Sequence, residues 1–124
     1  MSIACSDLLA LAQKLAEQND ETSLRSSVSR AYYAAYHRSN DWHSSLQAPG
    51  SNIGHVGGVH QELINRLRNP APEVKGEERR ISKVKAAALE VLRDQRHKAD
   101  YKLDGKCERA DALQACANAK NLLE

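Results

Sequence analysis

The stretch that decides the fold is Arg25–Trp42, RSSVSRAYYAAYHRSNDW. Leu24 just before it, then Val28, Ala31, Ala35 and Trp42, recur at helical spacing, with no Gly or Pro between them. That pattern predicts a helix beginning near Thr22 or Ser23 and running unbroken for about six turns. It is the natural centre of the fold.

Working outward, the Pro and Gly residues gather in QAPGSNIGHVGG at 47–58, NPAPEVKG at 69–76, and Gly105. These stretches punctuate four further helical patterns. The first spans about Asp7 to Gln18, with Ser6 as its expected N-cap and Leu8, Leu11 and Leu15 as its inward stripe. Another spans about Val56 to Leu67, with Val56, Val59, Leu63 and Leu67 inward. A long one begins near Glu77 and runs into Arg96 or beyond, with Ile81, Val84, Ala88, Val91 and Leu92 inward. The last covers roughly Cys107 to Leu122, with Ala112, Cys116, Ala119 and Leu123 on one side. Short connections between such helices favour antiparallel neighbours. The expectation is one all-α domain over residues 1–124, an antiparallel bundle of four to five helices.

Composition points the same way. Ala and Leu dominate and Phe is absent, which favours helix over strand and leaves a thin core that dimerisation would reinforce. The N-terminal MSIACSDLLALAQKL lacks a basic leader region, and no apolar run reaches the roughly 20 residues of a membrane span. A cytoplasmic location without membrane association is expected. Cys5, Cys107 and Cys116 form an odd set without CxxC spacing, so buried free thiols are expected rather than disulfides or zinc.

Charge is unevenly distributed. Residues 1–65 hold four basic against six acidic side chains, whereas 66–109 hold thirteen against eight. Arg79, Arg80, Lys83 and Lys85 form the densest basic group. Such a group either meets a polyanion or is a solvated helix face, and on these residues alone the solvated face is the simpler account.

Two segments carry candidate chemistry: Arg25–Trp42, with Tyr32, Tyr33, Ala34 and Ala35, and the late element RHKADY, with Arg96, Ala99, Asp100 and Tyr101. On these motifs, the helix order and the Ala-rich last helix, the chain resembles the HEPN superfamily of prokaryotic helical domains. The resemblance implies a compact bundle that dimerises. In many members it also implies metal-independent RNA cleavage, with an Arg and a His four to six residues apart facing their copies across a two-fold axis. An imidazole transfers protons near neutral pH, a guanidinium holds the scissile phosphate, and the RNA supplies its own 2′-hydroxyl, so neither cofactor nor metal is called for.

The chain departs from this pattern at one position. Arg96 is followed by His97, but five residues on stands Tyr101, with no His downstream. Tyrosine has a reference pKa near 10 and shuttles protons poorly at neutral pH. Either the active site differs or the domain is not a nuclease. The candidate catalytic set is Arg96 for phosphate contact, with His97, Tyr101 and His37; Arg79, Arg80, Lys83 and Lys98 are candidate RNA contacts.

Other spacings are weaker. Arg30 and His37 share a helical stripe with Tyr33 between them, and a structural role or contact with Arg96 is expected; Arg38 and His43 diverge by ~140° on a helix. Tyr32, Tyr33 and Tyr36 read as core-edge residues, and Asp100 as an i,i+4 partner of Arg96. His55 and His60 make at best a poor metal site, and the Gly54–Gly58 run is no phosphate loop. Two functions follow, a HEPN-type RNA-acting module of a toxin–antitoxin or defence system, or a non-catalytic dimeric domain that binds a protein or nucleotide. An antitoxin or immunity protein is a third.

Overall fold

A computed structural model describes residues 3–55 and 57–124. Within them lie α1 (Cys5–Ala16), α2 (Glu21–Ser44), a short 3-10 turn (Ile53–His55), α3 (Val59–Arg68), α4 (Gly76–Tyr101) and α5 (Arg109–Leu123). Helices and their connections make up the described residues, with no strand among them, as expected. Val56 and the His55 side chain, which the sequence reading placed in α3 and in a weak metal site, lie outside the described residues.

Helix α2 is the axis of the bundle and packs against α1, α4 and α5, while α3 leans on α4. Its inward stripe is the expected one: Leu24, Val28, Ala31 and Ala35 are buried and Trp42 packs against the core from the edge. The core is rich in Ala, with Ala12, Ala16, Ala34, Ala86, Ala112 and Ala119 all essentially sealed from solvent. Small side chains let the helix backbones approach closely, and Tyr32 is the largest side chain fully enclosed between them.

Two expected faces are rotated, those of α1 and α4. In α1 the buried residues are Leu9, Ala12 and Ala16, and Leu11 is 44% exposed. In α4 they are Ser82, Ala86, Leu89, Leu92 and Ala99, while Val84 and Val91 are 54% and 51% exposed. In α3 the expected Leu63 and Leu67 are buried, with Ile64 beside them, and Val59 on the first turn is exposed. The cause in α1 and α4 is common to both. The larger apolar side chains suggested the inward face, but the close contact is made by Ala, with Ser82 admitted because its hydroxyl donates to the Leu67 carbonyl at 2.6 Å.

Helix ends also differ in detail. Ala4, not Ser6, is the N-cap of α1, and Asp7 folds back to accept the Ala4 N–H at 2.8 Å. Helix α2 starts at Glu21 because Asp20 caps it, accepting the Ser23 N–H at 2.9 Å. At α5, which starts two residues later than expected, Asp111 accepts the Glu108 N–H at 2.9 Å. Gly50 is a contact glycine: a Cβ there would lie 1.8 Å from the Arg66 carbonyl oxygen. The cysteines are free, Cys107 and Cys116 buried and Cys5 half-buried.

Candidate functional site

The helical spacing of α2 gathers Tyr32, Tyr33, Tyr36 and His37 on its middle turns, in mutual ring contact. There they meet the last turns of α4 and the first turn of α3. Arg96, from α4, is the hub. Its Nε donates to Asp100 Oδ2 at 3.0 Å and one terminal nitrogen donates to the Tyr33 hydroxyl at 3.4 Å. Its guanidinium carbon lies 5.7, 5.6 and 5.6 Å from the ring centres of Tyr32, Tyr33 and Tyr101. An Arg with this aromatic surround is held in a single pose. The side chain keeps 17% exposure, and its other terminal nitrogen has no hydrogen-bond partner among the described residues.

Helix α3 brings in His60. Its Nδ1 is 2.7 Å from the Tyr32 hydroxyl, and its ring centre lies 4.7 Å from that of Tyr36, 5.4 Å from Tyr32 and 5.9 Å from Tyr33. Arg93 donates to Gln61, tying α4 to the same turn of α3. Ser29 donates to Asp100 Oδ2 at 3.3 Å, so the carboxylate that steadies Arg96 is itself steadied from α2.

The electrostatics follow from this packing. Burial, then the Arg96 and Arg93 cations and His37, hold the His60 pKa below the usual imidazole value, so the ring is neutral at physiological pH. Burial pushes the Tyr32 phenol well above its usual range against the pull of Arg96, and raises Tyr36 with help from Glu62. Both stay protonated. Burial works against the Arg96 cation, but Tyr33, Asp100 and Tyr101 outweigh it and raise its pKa. The site thus presents a fixed cation, a neutral imidazole and protonated phenols, an arrangement suited to an oxyanion and to moving a proton.

The sequence candidates fall in different places. Arg96 is at the centre of this cluster, and Tyr101 and His37 border it, His37 through ring contacts with Tyr33 at 6.4 Å and Tyr36 at 5.4 Å. His97 is exposed and stacks on Tyr101, with ring centres 5.0 Å apart. Tyr101 is 61% exposed. Arg30 lies over Tyr33 at 5.4 Å.

Arg79, Arg80 and Lys83 begin α4, about 20–25 Å along the helix from Arg96 at 1.5 Å per residue. Arg79 is engaged in structure, donating to the carbonyls of Pro70, Ala71 and Val74 at 3.2–3.3 Å. Arg80 pairs with Glu77, and Lys83 is exposed. Lys98 faces away from Arg96, into a cavity beside the α4–α5 connection.

His60 and Arg93 were not singled out for this role. Spacing along one helix reveals only the Arg–His pairs of that helix, whereas this pair joins α3 to α4. The signal available was that His60 is the first polar residue after the Gly57–Gly58 break, hence on the opening turn of a helix. Among the described residues no group of three or more His, Cys, Asp or Glu is placed to hold a metal ion, and no helix is long and apolar enough to cross a membrane. No family model, curated protein or solved structure matches the chain.

Proposed function

We propose that the chain is a HEPN-type module that acts on RNA, with Arg96 binding a backbone phosphate and His60 taking the place of the histidine missing beyond Arg96. The observation that carries this reading is the convergence of Arg96 and His60, from different helices, on the Tyr32–Tyr33 pair. A neutral His60 accepts the proton of a 2′-hydroxyl, which attacks the phosphorus held by Arg96. The 5′-oxygen leaves with a proton from His37, and the product carries a 2′,3′-cyclic phosphate. A homodimer would extend the phosphate-binding surface and add to a thin core. In a toxin–antitoxin setting a cognate antitoxin would cover this cluster.

The test is to incubate the protein with mixed RNA in excess chelator and map the new ends. Cyclic-phosphate ends that vanish in Arg96→Ala and His60→Gln, with helical content unchanged, support the proposal. No cleavage of any RNA by the wild type overturns the catalytic part of it.

A second reading has its own observation. Arg96 is already engaged by Asp100, Tyr33 and three rings, which suits a brace in a non-catalytic dimeric domain that binds a protein, whether as antitoxin, immunity protein or toxin partner. On this reading Arg96→Ala lowers stability or association and no RNA is bound.

A further inference from the structure

The cavity that Lys98 faces opens beside the last turns of α4, between α2, α5 and the connection at 102–108. Its volume is about 450 Å³, inside the roughly 300–1,000 Å³ range of small-molecule sites. Three lysines line it, Lys98, Lys102 and Lys106, and none of the three has an acidic partner among the described residues. The single acid on its wall, Asp111, is committed to capping α5 through the Glu108 N–H. The floor is apolar, formed by Val28, Ala99 and the Cys107 thiol, whose pKa burial pushes up so that it stays neutral.

A helix C-terminus ordinarily repels anions, because its last carbonyls are unpaired and carry partial negative charge. Arg25 removes that obstacle here. Its guanidinium, anchored to Glu21 at 2.8 Å, donates to the carbonyls of Lys98, Ala99, Lys102 and Gly105 at 3.3, 2.9, 3.2 and 2.6 Å. Carbonyls that would face an anion are turned onto a cation, and the 102–105 segment is held in one shape before any ligand arrives.

We infer that this cavity binds a small organic phosphate monoester, its dianionic phosphate held by Lys98, Lys102 and Lys106 and its carbon body lying on the Val28–Ala99–Cys107 floor. Three unpaired cations match a group that carries close to two charges at neutral pH. The apolar floor distinguishes the site from a bare basic patch. The assignment is independent of any action on RNA, since Lys98 and Arg96 face different sides of α4 and Lys102 and Lys106 lie beyond its end.

The experiment is a titration of the full chain followed by backbone amide NMR, with phenyl phosphate as probe. Saturable shifts confined to Ala99, the 102–107 amides and Val28 are expected. The double variant Lys102→Gln/Lys106→Gln should weaken binding roughly tenfold or more, while Lys83→Gln leaves it unchanged. Inorganic phosphate should bind more weakly than phenyl phosphate, and the monoanionic diester methyl phenyl phosphate more weakly still.

Three results overturn the inference. One is no saturation by phenyl phosphate. Another is equal binding by the double variant. The third is equal affinity for the diester, which would make the cavity part of a nucleic-acid backbone track.

Discussion

The Tyr32 hydroxyl and His60 Nδ1, on α2 and α3, lie 2.7 Å apart at the edge of the core. This bond joins the largest fully enclosed side chain of the protein to the histidine beside Arg96. It links stability and proposed chemistry in one contact. Tyr32→Phe keeps the ring and removes the bond, and should lower stability by about 1 kcal/mol, or roughly 4 °C in Tm for a chain of this size. Calorimetric unfolding measures it; an unchanged Tm would mean that the hydroxyl is as well satisfied in the unfolded chain.

Acid should destabilise the fold through two histidines. Burial depresses the pKa of His43, reinforced by Arg66, and that of His60, reinforced by Arg96. A depressed folded-state pKa means that the unfolded chain binds protons more readily. The stabilisation is therefore complete above the unfolded imidazole value near 6.5 and is lost as pH falls through the lowered folded values. For His43 the mechanism is specific: Nε2 accepts the Gly50 N–H at 3.1 Å, so protonation removes the acceptor. Denaturant midpoints at neutral and mildly acidic pH should differ less in His43→Gln than in the wild type. An equal difference in both would shift the acid sensitivity elsewhere.

Arg25 acts as a remote cap on α4. Arg25→Lys retains charge but loses the planar fork that reaches four carbonyls, and should destabilise the protein by about 2 kcal/mol. Hydrogen exchange should quicken first at the amides of Lys102 and Gly105, which close the end of the helix. Exchange that quickened uniformly along the chain would argue for a general loss of stability instead.

Gly50 should tolerate no side chain. Gly50→Ala drives a Cβ into the Arg66 carbonyl, and the surrounding turn is pinned by Arg66 donating to the Gly50 carbonyl at 2.7 Å. A loss of about 3 kcal/mol is expected in chemical denaturation.

The helices of this fold were legible because Gly and Pro punctuate them and because α2 carries its apolar stripe on Leu24, Val28, Ala31 and Ala35. The inward faces of α1 and α4 were not. Leu11, Val84 and Val91 weigh heavily in a periodicity, yet contact is made through Ala12, Ala86 and Ser82, where small size brings backbones together. At the candidate site, the Arg96–Asp100 pair was legible because both residues lie on one helix. His60 was not, because its approach to Tyr32 depends on how α3 docks, and spacing along one chain segment carries no information about that. Arg25 was hidden for the same reason: its carbonyl partners lie more than seventy residues away.

The proposed RNA contact rests on Arg96 and not on the basic start of α4. The most direct measurement is the affinity of the full chain for a 2′-deoxy-substituted RNA that it cannot cleave, compared among wild type, Arg96→Ala and Lys83→Ala. At least a roughly tenfold loss is expected for Arg96→Ala and little change for Lys83→Ala. Undiminished binding by a folded Arg96→Ala variant, or a loss confined to Lys83→Ala, would contradict it.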